Sequence, residues 1–314
     1  MVVGLRKRTS KLLQNTPRNH HYVPQFYLRN FAIDPEKQKL TTVAKHGHVA
    51  VWAKRSIKSL GFERDLYVSL RKGVPVSVET IINERVETPI SESDTWKKIA
   101  SGRSDALDTY DKPIIYALIR HLNVRTPHHL SITMELARLA ADKNSAIPFT
   151  NEEREHYAYI RENPNEAKAM FNLMSMSTEW AEVDYRRAAI SILRSPIPIR
   201  TLSSPVMSIR APDHPALYLP KPGLTPYQLV LALNPTTIAS AILGDFDNAF
   251  VNGEMPLDSA MGFNRHFVAQ FAFYDGIRHL VTDRDDLSTD MTWGPYKLVN
   301  DTGQKITYRR NKHD

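Results

Sequence analysis

Two histidines, a glutamine and an arginine sit close together near the start of the chain, in HHYVPQFYLRNF, residues 20–31. Pro24 suits the first turn of a helix, where φ is already set and a missing N–H costs nothing, so the spacing predicts a short helix from about Pro24 to Phe31. Gln25 and Arg29 lie four apart on one of its faces, with His21 just upstream in line. Tyr27 and Phe31 stack on another face, widened by Phe26 and Leu28. The positive end of a helix dipole disfavours imidazolium at His21. A neutral imidazole is what a general base or a metal ligand requires. The competing reading is a histidine bonded to main chain at a helix start, the usual fate of a buried polar group.

Two further residues complete a possible constellation. Pro89 should break the helix that begins near Ser77, at about Glu87, and a carboxylate beside a break can turn toward a neighbour. Arg125 precedes Thr126 and Pro127, which read as the cap and first residue of a new helix. A guanidinium beside free helix N–H groups makes a candidate anion site. An arginine tying two helices together through backbone carbonyls fits that position equally well. His21 as base, Glu87 as orienting partner or metal ligand, and Arg125 as phosphate clamp would make a phosphodiester-cleaving site. Gln25 and Arg29 would position substrate. Asn264, a polar residue inside an apolar helical pattern, joins them because a buried amide needs a partner.

HYVPQFYLRNF resembles the opening motif of the family called domain of unknown function 4238. Other pieces follow in that family's order. They are Ile82 to Glu87, the Arg125 Thr126 Pro127 step, Ile199 to Val206, Leu229 to Pro235 and Asn264 to Gly276. The resemblance spans nearly the whole chain, with the first motif its specific part. It departs at Ser203, where the family usually has Asp. The family carries no established activity, so the resemblance implies a layout and not a reaction.

The composition, 42% hydrophobic and 24% charged, suits a globular domain, and 314 residues allow one large domain or two small ones. With 0 cysteines there are no disulfides and no thiolate zinc sites, which points to a cytoplasmic protein whose metal, if any, has His and carboxylate ligands. No apolar run is long enough to span a bilayer. Net charge +7 and a pI near 9.4 favour nucleic acid or another acidic partner. Walker, dinucleotide GxGxxG, GxSxG and HExxH patterns are absent, which removes the common nucleotide enzymes, α/β-hydrolases and zincins. The divalent metal stays open, because too few ligands stand out to name one.

Around these residues the pattern predicts an α+β fold, with a central helical bundle over residues 77–195 packed on one small mixed or antiparallel sheet. Residues 1–19, basic and free of acids, read as a flexible arm, and 20–314 as a single domain. A hairpin is expected over 40–53, its turn at Lys45 to His48 carrying His46 and His48 on one strand face. A strand is expected at 65–70. Helices are expected from Ser77, over 108–124, over 127–142, from the capping box at Thr150, and from Pro164 as far as Arg194, with Met170, Met174 and Met176 filling core. Prolines after Ser195 leave strands at 197–199 and 206–209. Tyr227 to Leu233 reads as a fully buried strand, Asn234 Pro235 as the start of a helix through Leu243, and 256–274 as a helix. Asn300 to Gly303 signals a final hairpin turn. Asp283, Asp285 and Asp286 read as a solvated turn and not a calcium loop.

Two functional readings follow. The first is an intracellular nuclease-like effector acting on nucleic acid. The alternative is a non-catalytic module that binds nucleic acid or an acidic protein, with HYVPQ purely architectural.

Overall fold

The computed structural model describes residues 18–33, 39–143, 145, 147–176, 185–202, 206–209, 228–242, 246, 249–273, 277–282 and 297–300. The arm up to residue 17, Ser203, Asp283, Asp285, Asp286 and the turn at Asn300 to Gly303 beyond its first residue lie outside them.

In chain order the elements begin with β1 (Asn19–His21), α1 (Gln25–Leu28), β2 (Lys39–His46), β3 (Val49–Ser56), β4 (Phe62–Arg64), β5 (Val68–Arg71) and β6 (Val74–Ser77). Helices follow: α2 (Glu79–Ile82), a π turn (Asn83–Glu87), α3 (Thr88–Glu92), α4 (Asp94–Ala100), α5 (Lys112–Val124), α6 (Pro127–Ala141), α7 (Asn151–Glu162) and α8 (Pro164–Met176). Then come β7 (Ala189–Arg194), β8 (Thr201–Leu202), β9 (Val206–Ile209), β10 (Gln228–Asn234), β11 (Thr237–Ile242), β12 (Phe250–Glu254), α9 (Leu257–Phe273), β13 (His279–Thr282) and β14 (Lys297–Asn300). The fold is α+β, as the pattern predicts.

Two compact units share the chain. The first takes Met1–Tyr22, Phe62–Pro89 and Val124–Ser177; the second takes Val23–Gly61, Ile90–Asn123 and Thr178–Asp314. The boundary falls inside the HHYVPQFYLRNF motif, between Tyr22 and Val23. In the first unit β1 pairs with β4 and β5 with β6, both antiparallel, beside α6, α7 and α8. The second unit holds two five-stranded sheets, in orders β12-β7-β11-β10-β9 and β14-β3-β2-β13-β8, each antiparallel except for one parallel edge pair. The single expected sheet is therefore several.

Local chemistry accounts for what was read correctly. Thr150 and Glu153 form the capping box, Thr126 Oγ accepts from His129 N–H, and Gly47 turns the 39–56 hairpin at φ +57°. His48 falls in that turn, so it shares no strand face with His46; both are exposed.

The corrections share one cause, spacing that two periods fit. Residues 185–194 are not helix: Ile190 and Ile192 are buried at a period of two, in β7. Of the helix expected from Pro164 the described part is Pro164–Met176, and Met170 and Met174 are exposed where core was expected. Tyr110, within the helix expected over 108–124, lies in a short 3-10 turn before α5 and is 93% exposed. Residues 65–67 form a turn before β5, and 197–199 are not a strand. Asn234 Pro235 opens no helix. Asn234 Oδ1 accepts from Thr236 N–H at 2.9 Å, closing a turn between β10 and β11, whose apolar residues are buried in the sheet. Among the described residues no helix is long and apolar enough to cross a membrane.

Gly61, at φ +63°, accepts from Val23 N–H through its carbonyl, and a Cβ there would lie 2.6 Å from Val23 Cβ. Gly61→Ala is expected to cost about 2–4 kcal/mol, combining left-handed strain with overpacking. Gly47→Ala, with nothing within 4 Å, should cost only about 1–2 kcal/mol. Urea unfolding of both variants checks this, and equal losses would show that Val23 yields without cost.

Candidate functional site

Strand β1 fixes the orientation of the two adjacent histidines. Its pairing of His20 with Glu63 and His21 with Phe62 sends the neighbouring side chains to opposite faces, and His20 is the one buried, at 1% exposure. His20 Nδ1 accepts from Tyr67 N–H at 2.9 Å, so its proton sits on Nε2. That nitrogen lies 3.8 Å from Glu79 Oε2. The ring stacks on Tyr67 with centroids 5.7 Å apart. Phe171 of α8 stacks on Tyr67 as well, at 6.0 Å.

The π turn places Glu87. Pro89 has no N–H to give to the carbonyl one turn back, so the helix widens across Asn83–Glu87 before resuming. The break expected from the sequence takes this form, and Glu87 ends it half-buried.

Arg125 lies between α5 and α6 and is completely buried. Its Nη1 donates to Glu87 Oε1 at 2.5 Å, Nε donates to the Tyr67 hydroxyl at 2.9 Å, and Nη2 donates to the His21 carbonyl. The Tyr67 hydroxyl in turn donates to the Arg125 carbonyl at 3.2 Å. Burial alone would lower the guanidinium's pKa; the Glu87 charge and Tyr67 outweigh it and hold the group firmly cationic. Burial pushes the Tyr67 phenol up to about 12, against the opposing pull of Arg125.

His21, Glu87 and Arg125 therefore do meet in one unit. They meet as a buried polar knot and not around an open space. His21 enters through its main chain: its N–H donates to Glu79 Oε1 at 3.3 Å and its carbonyl accepts from Arg125. Its ring lies tilted against Phe62, centroids 5.7 Å apart. Arg125 has no exposed surface with which to grip a phosphate, which corrects the clamp expected of it. It ties elements together through a carboxylate, a phenol and one strand carbonyl, and not two helices through their backbone carbonyls.

Gln25, Arg29 and Asn264 belong to the other unit. Gln25 is half-buried and Arg29 exposed on the first helical stretch. Asn264 is buried in α9, where its Oδ1 accepts from Arg200 N–H at 3.0 Å and its Nδ2 donates to the Pro198 carbonyl at 2.8 Å. It holds the main chain on both sides of Ile199. Nearby in the motif, the Tyr27 hydroxyl donates to the Ala232 carbonyl at 2.6 Å and Asn30 Nδ2 to the Leu233 carbonyl at 3.0 Å. These bonds lock the first helix to β10.

Sequence reasoning missed His20, Tyr67 and Glu79. The signal for His20 was the strand itself: in adjacent histidines on a half-buried strand, one must point inward. Tyr67 carried none beyond its apolar neighbours. Among the described residues no three His, Asp or Glu side chains gather to hold a metal ion.

Residues 19–209 match the sequence model of a family described as Protein of unknown function (DUF4238). No curated protein and no solved structure matches the chain.

The knot predicts two measurable effects. Glu87→Gln leaves a buried guanidinium without its counter-charge and is expected to cost about 3–5 kcal/mol in urea unfolding; Glu87→Leu with Arg125→Met should recover most of that. A single-variant loss under about 1 kcal/mol would mean that water screens the pair. The second effect is alkaline. The Tyr67 phenol titrates near 10 when unfolded and at about 12 when folded, so the folded state keeps a proton that the unfolded state has lost. Its contribution to stability is complete below pH 10 and falls as pH rises toward 12. Tyr67→Phe should flatten the stability–pH slope in that window by up to about 1.4 kcal/mol per pH unit; an unchanged slope would place the titration elsewhere.

Proposed function

We propose that this chain, which belongs to the DUF4238 family, is a nucleic-acid-binding module whose HHYVPQFYLRNF motif is architectural. The observation that supports this over the nuclease-like alternative is the fate of Arg125. The one guanidinium matched to a scissile phosphate is enclosed by Glu87, Tyr67 and the His21 carbonyl. Both ring nitrogens of His20 face protein groups. A general base needs a proton within reach, and a phosphate clamp needs an open donor. The second condition is not met at the knot, where Nε, Nη1 and Nη2 of Arg125 each donate to protein.

What the knot leaves over is charge. The excess of seven positive charges, net +7, favours a polyanion, since released counterions make such binding favourable without base-specific contacts. A chain with 0 cysteines suits the reducing cytoplasm, where nucleic acid is the abundant polyanion.

Fluorescence anisotropy with labelled single- and double-stranded DNA and RNA, with and without magnesium or manganese, tests the reading. Binding should weaken roughly 100- to 1,000-fold between 50 and 200 mM salt, as expected for four or five phosphate contacts, and the oligonucleotides should stay intact. Metal-dependent cleavage that disappears in a folded His21→Ala protein would restore the hydrolytic reading and remove this one.

A further inference from the structure

Helix α8 presents two different sides. Ala167, Phe171, Asn172 and Ser175 are buried, and Phe171 stacks on Tyr67. On its outer side Met170, Leu173 and Met174 are 40%, 62% and 38% exposed. Their spacing, i, i+3 and i+4, makes them neighbours one turn apart, so they form a continuous apolar stripe and not scattered single residues. A helix apolar on two sides normally has something packed on each. Glu166, one turn before Met170, is exposed beside the stripe, and Glu152 and Glu155 are exposed on α7, which runs into α8 through Asn163. Among the described residues no lysine or arginine pairs with these three glutamates, whereas Glu162 has Arg161 at 3.5 Å.

The chain itself carries a segment of matching chemistry. Residues 1–17 contain Arg6, Lys7, Arg8 and Lys11, the apolar Leu5, Leu12 and Leu13, and no aspartate or glutamate. The residue that follows them is fixed beside α8. The Arg18 guanidinium donates to both carboxylate oxygens of Asp65, at 3.2 and 2.5 Å, and the Arg18 carbonyl accepts from Asp65 N–H at 2.8 Å. Lys168 Nζ of α8 donates to the Asp65 carbonyl at 3.0 Å. One aspartate therefore holds both the root of the arm and the helix. Passing from the Lys168 side of α8 to the Met170 side takes half a turn round a cylinder about 10 Å across, roughly 16 Å. The chain from Leu13 to Arg18 can span about 17 Å. That length brings Leu12 and Leu13 to the stripe and leaves the basic residues to meet the glutamates.

We propose that residues 5–13 dock on the outer side of α8, with Leu12 and Leu13 on Met170, Leu173 and Met174 and the basic residues toward Glu152, Glu155 and Glu166. The contact lies within the first unit and does not depend on nucleic acid. Methionine suits such a face, because its unbranched thioether adapts to whatever side chains are laid on it. The charges are opposite in sign and the root is already in place, so the contact is intramolecular and its effective concentration is high. A second copy of the stripe offers neither the cations nor the tether.

A chain with 0 cysteines makes the test direct. Leu13→Cys is combined with Leu173→Cys in the full chain. Oxidation by copper–phenanthroline is followed on non-reducing gels, and the bridged peptides are identified by mass. The comparison pair carries Leu13→Cys with Ser131→Cys, an exposed position on α6. Intramolecular bridging at Leu173 should be at least about tenfold faster than at Ser131. Adding Arg6→Glu, Arg8→Glu and Lys11→Glu should remove most of that advantage, because the glutamates then face like charge. Met170→Cys in place of Leu173→Cys gives an independent pair should the first fail to fold by circular dichroism. Equal rates at both positions, or an advantage untouched by charge reversal, overturn the docked arm. Bridges that form between chains and not within them overturn it in favour of a second copy.

Discussion

A buried guanidinium is the constraint on which the first unit depends. Taking an arginine out of water costs several kcal/mol unless a counter-charge and hydrogen bonds replace the lost hydration. Arg125 obtains these from three places far apart in sequence: the end of a π turn, a tyrosine in a tight turn and a strand carbonyl. None of the three is optional once the arginine is enclosed. Each local feature therefore has a tertiary reason. The π turn delivers Glu87 to the guanidinium, and the short β1–β4 ladder fixes the carbonyl of His21. His20 and Phe171 clamp the ring of Tyr67 between them, so its hydroxyl points at a fixed spot.

The second unit meets the same requirement with neutral groups beside the buried Asp111, which pairs with Lys98. Asn252 in β12 donates through one nitrogen to the carbonyls of Ser104, Asp105 and Leu107 at 2.8–3.2 Å. Asn264 spans the main chain on both sides of Ile199, and Asn234 closes the β10–β11 turn. An amide carries a donor and an acceptor in one plane, so it replaces a missing ladder bond without burying a charge. Tyr27 does this at the edge of the motif. Burial raises its phenol well above its ordinary value, and it donates to the Ala232 carbonyl while meeting Thr201 Oγ1 at 2.9 Å. The two halves of HHYVPQFYLRNF thus serve different units by different means.

This division explains what the sequence made legible. Caps, turns and the proline break depend on residues within one turn of each other, so Thr126, Thr150, Gly47 and Pro89 announced themselves. The β10 strand was readable because its apolar run is too short and too continuous for a surface helix. Where the same side chains fit both periods, tertiary pairing decided: β11 and β7 became strands because each found a neighbour to bond with, and Asn234 closed a turn instead of capping a helix. Arg125 meets the Glu87 side chain but only the main chain of His21, and no spacing in the sequence announces that. Whether a polar side chain faces a substrate or another part of the chain depends on what encloses it, and Tyr67, His20 and Glu79 gave no sign of that.

A buried His–Glu–Arg set has the composition of a hydrolytic site, so residue types alone do not separate machinery from scaffold. Open hydrogen-bond directions do. A catalytic arginine must keep donors for the transition state, and a catalytic histidine must keep one nitrogen for the proton it moves. In the knot, the donating atoms of Arg125 and the nitrogens of His20 are turned toward protein. Charge enclosed between Arg125 and Glu87 serves the fold of the first unit. Residue types therefore mark a site only once the directions of their hydrogen bonds are known, and in the first unit those of Arg125 run into the fold.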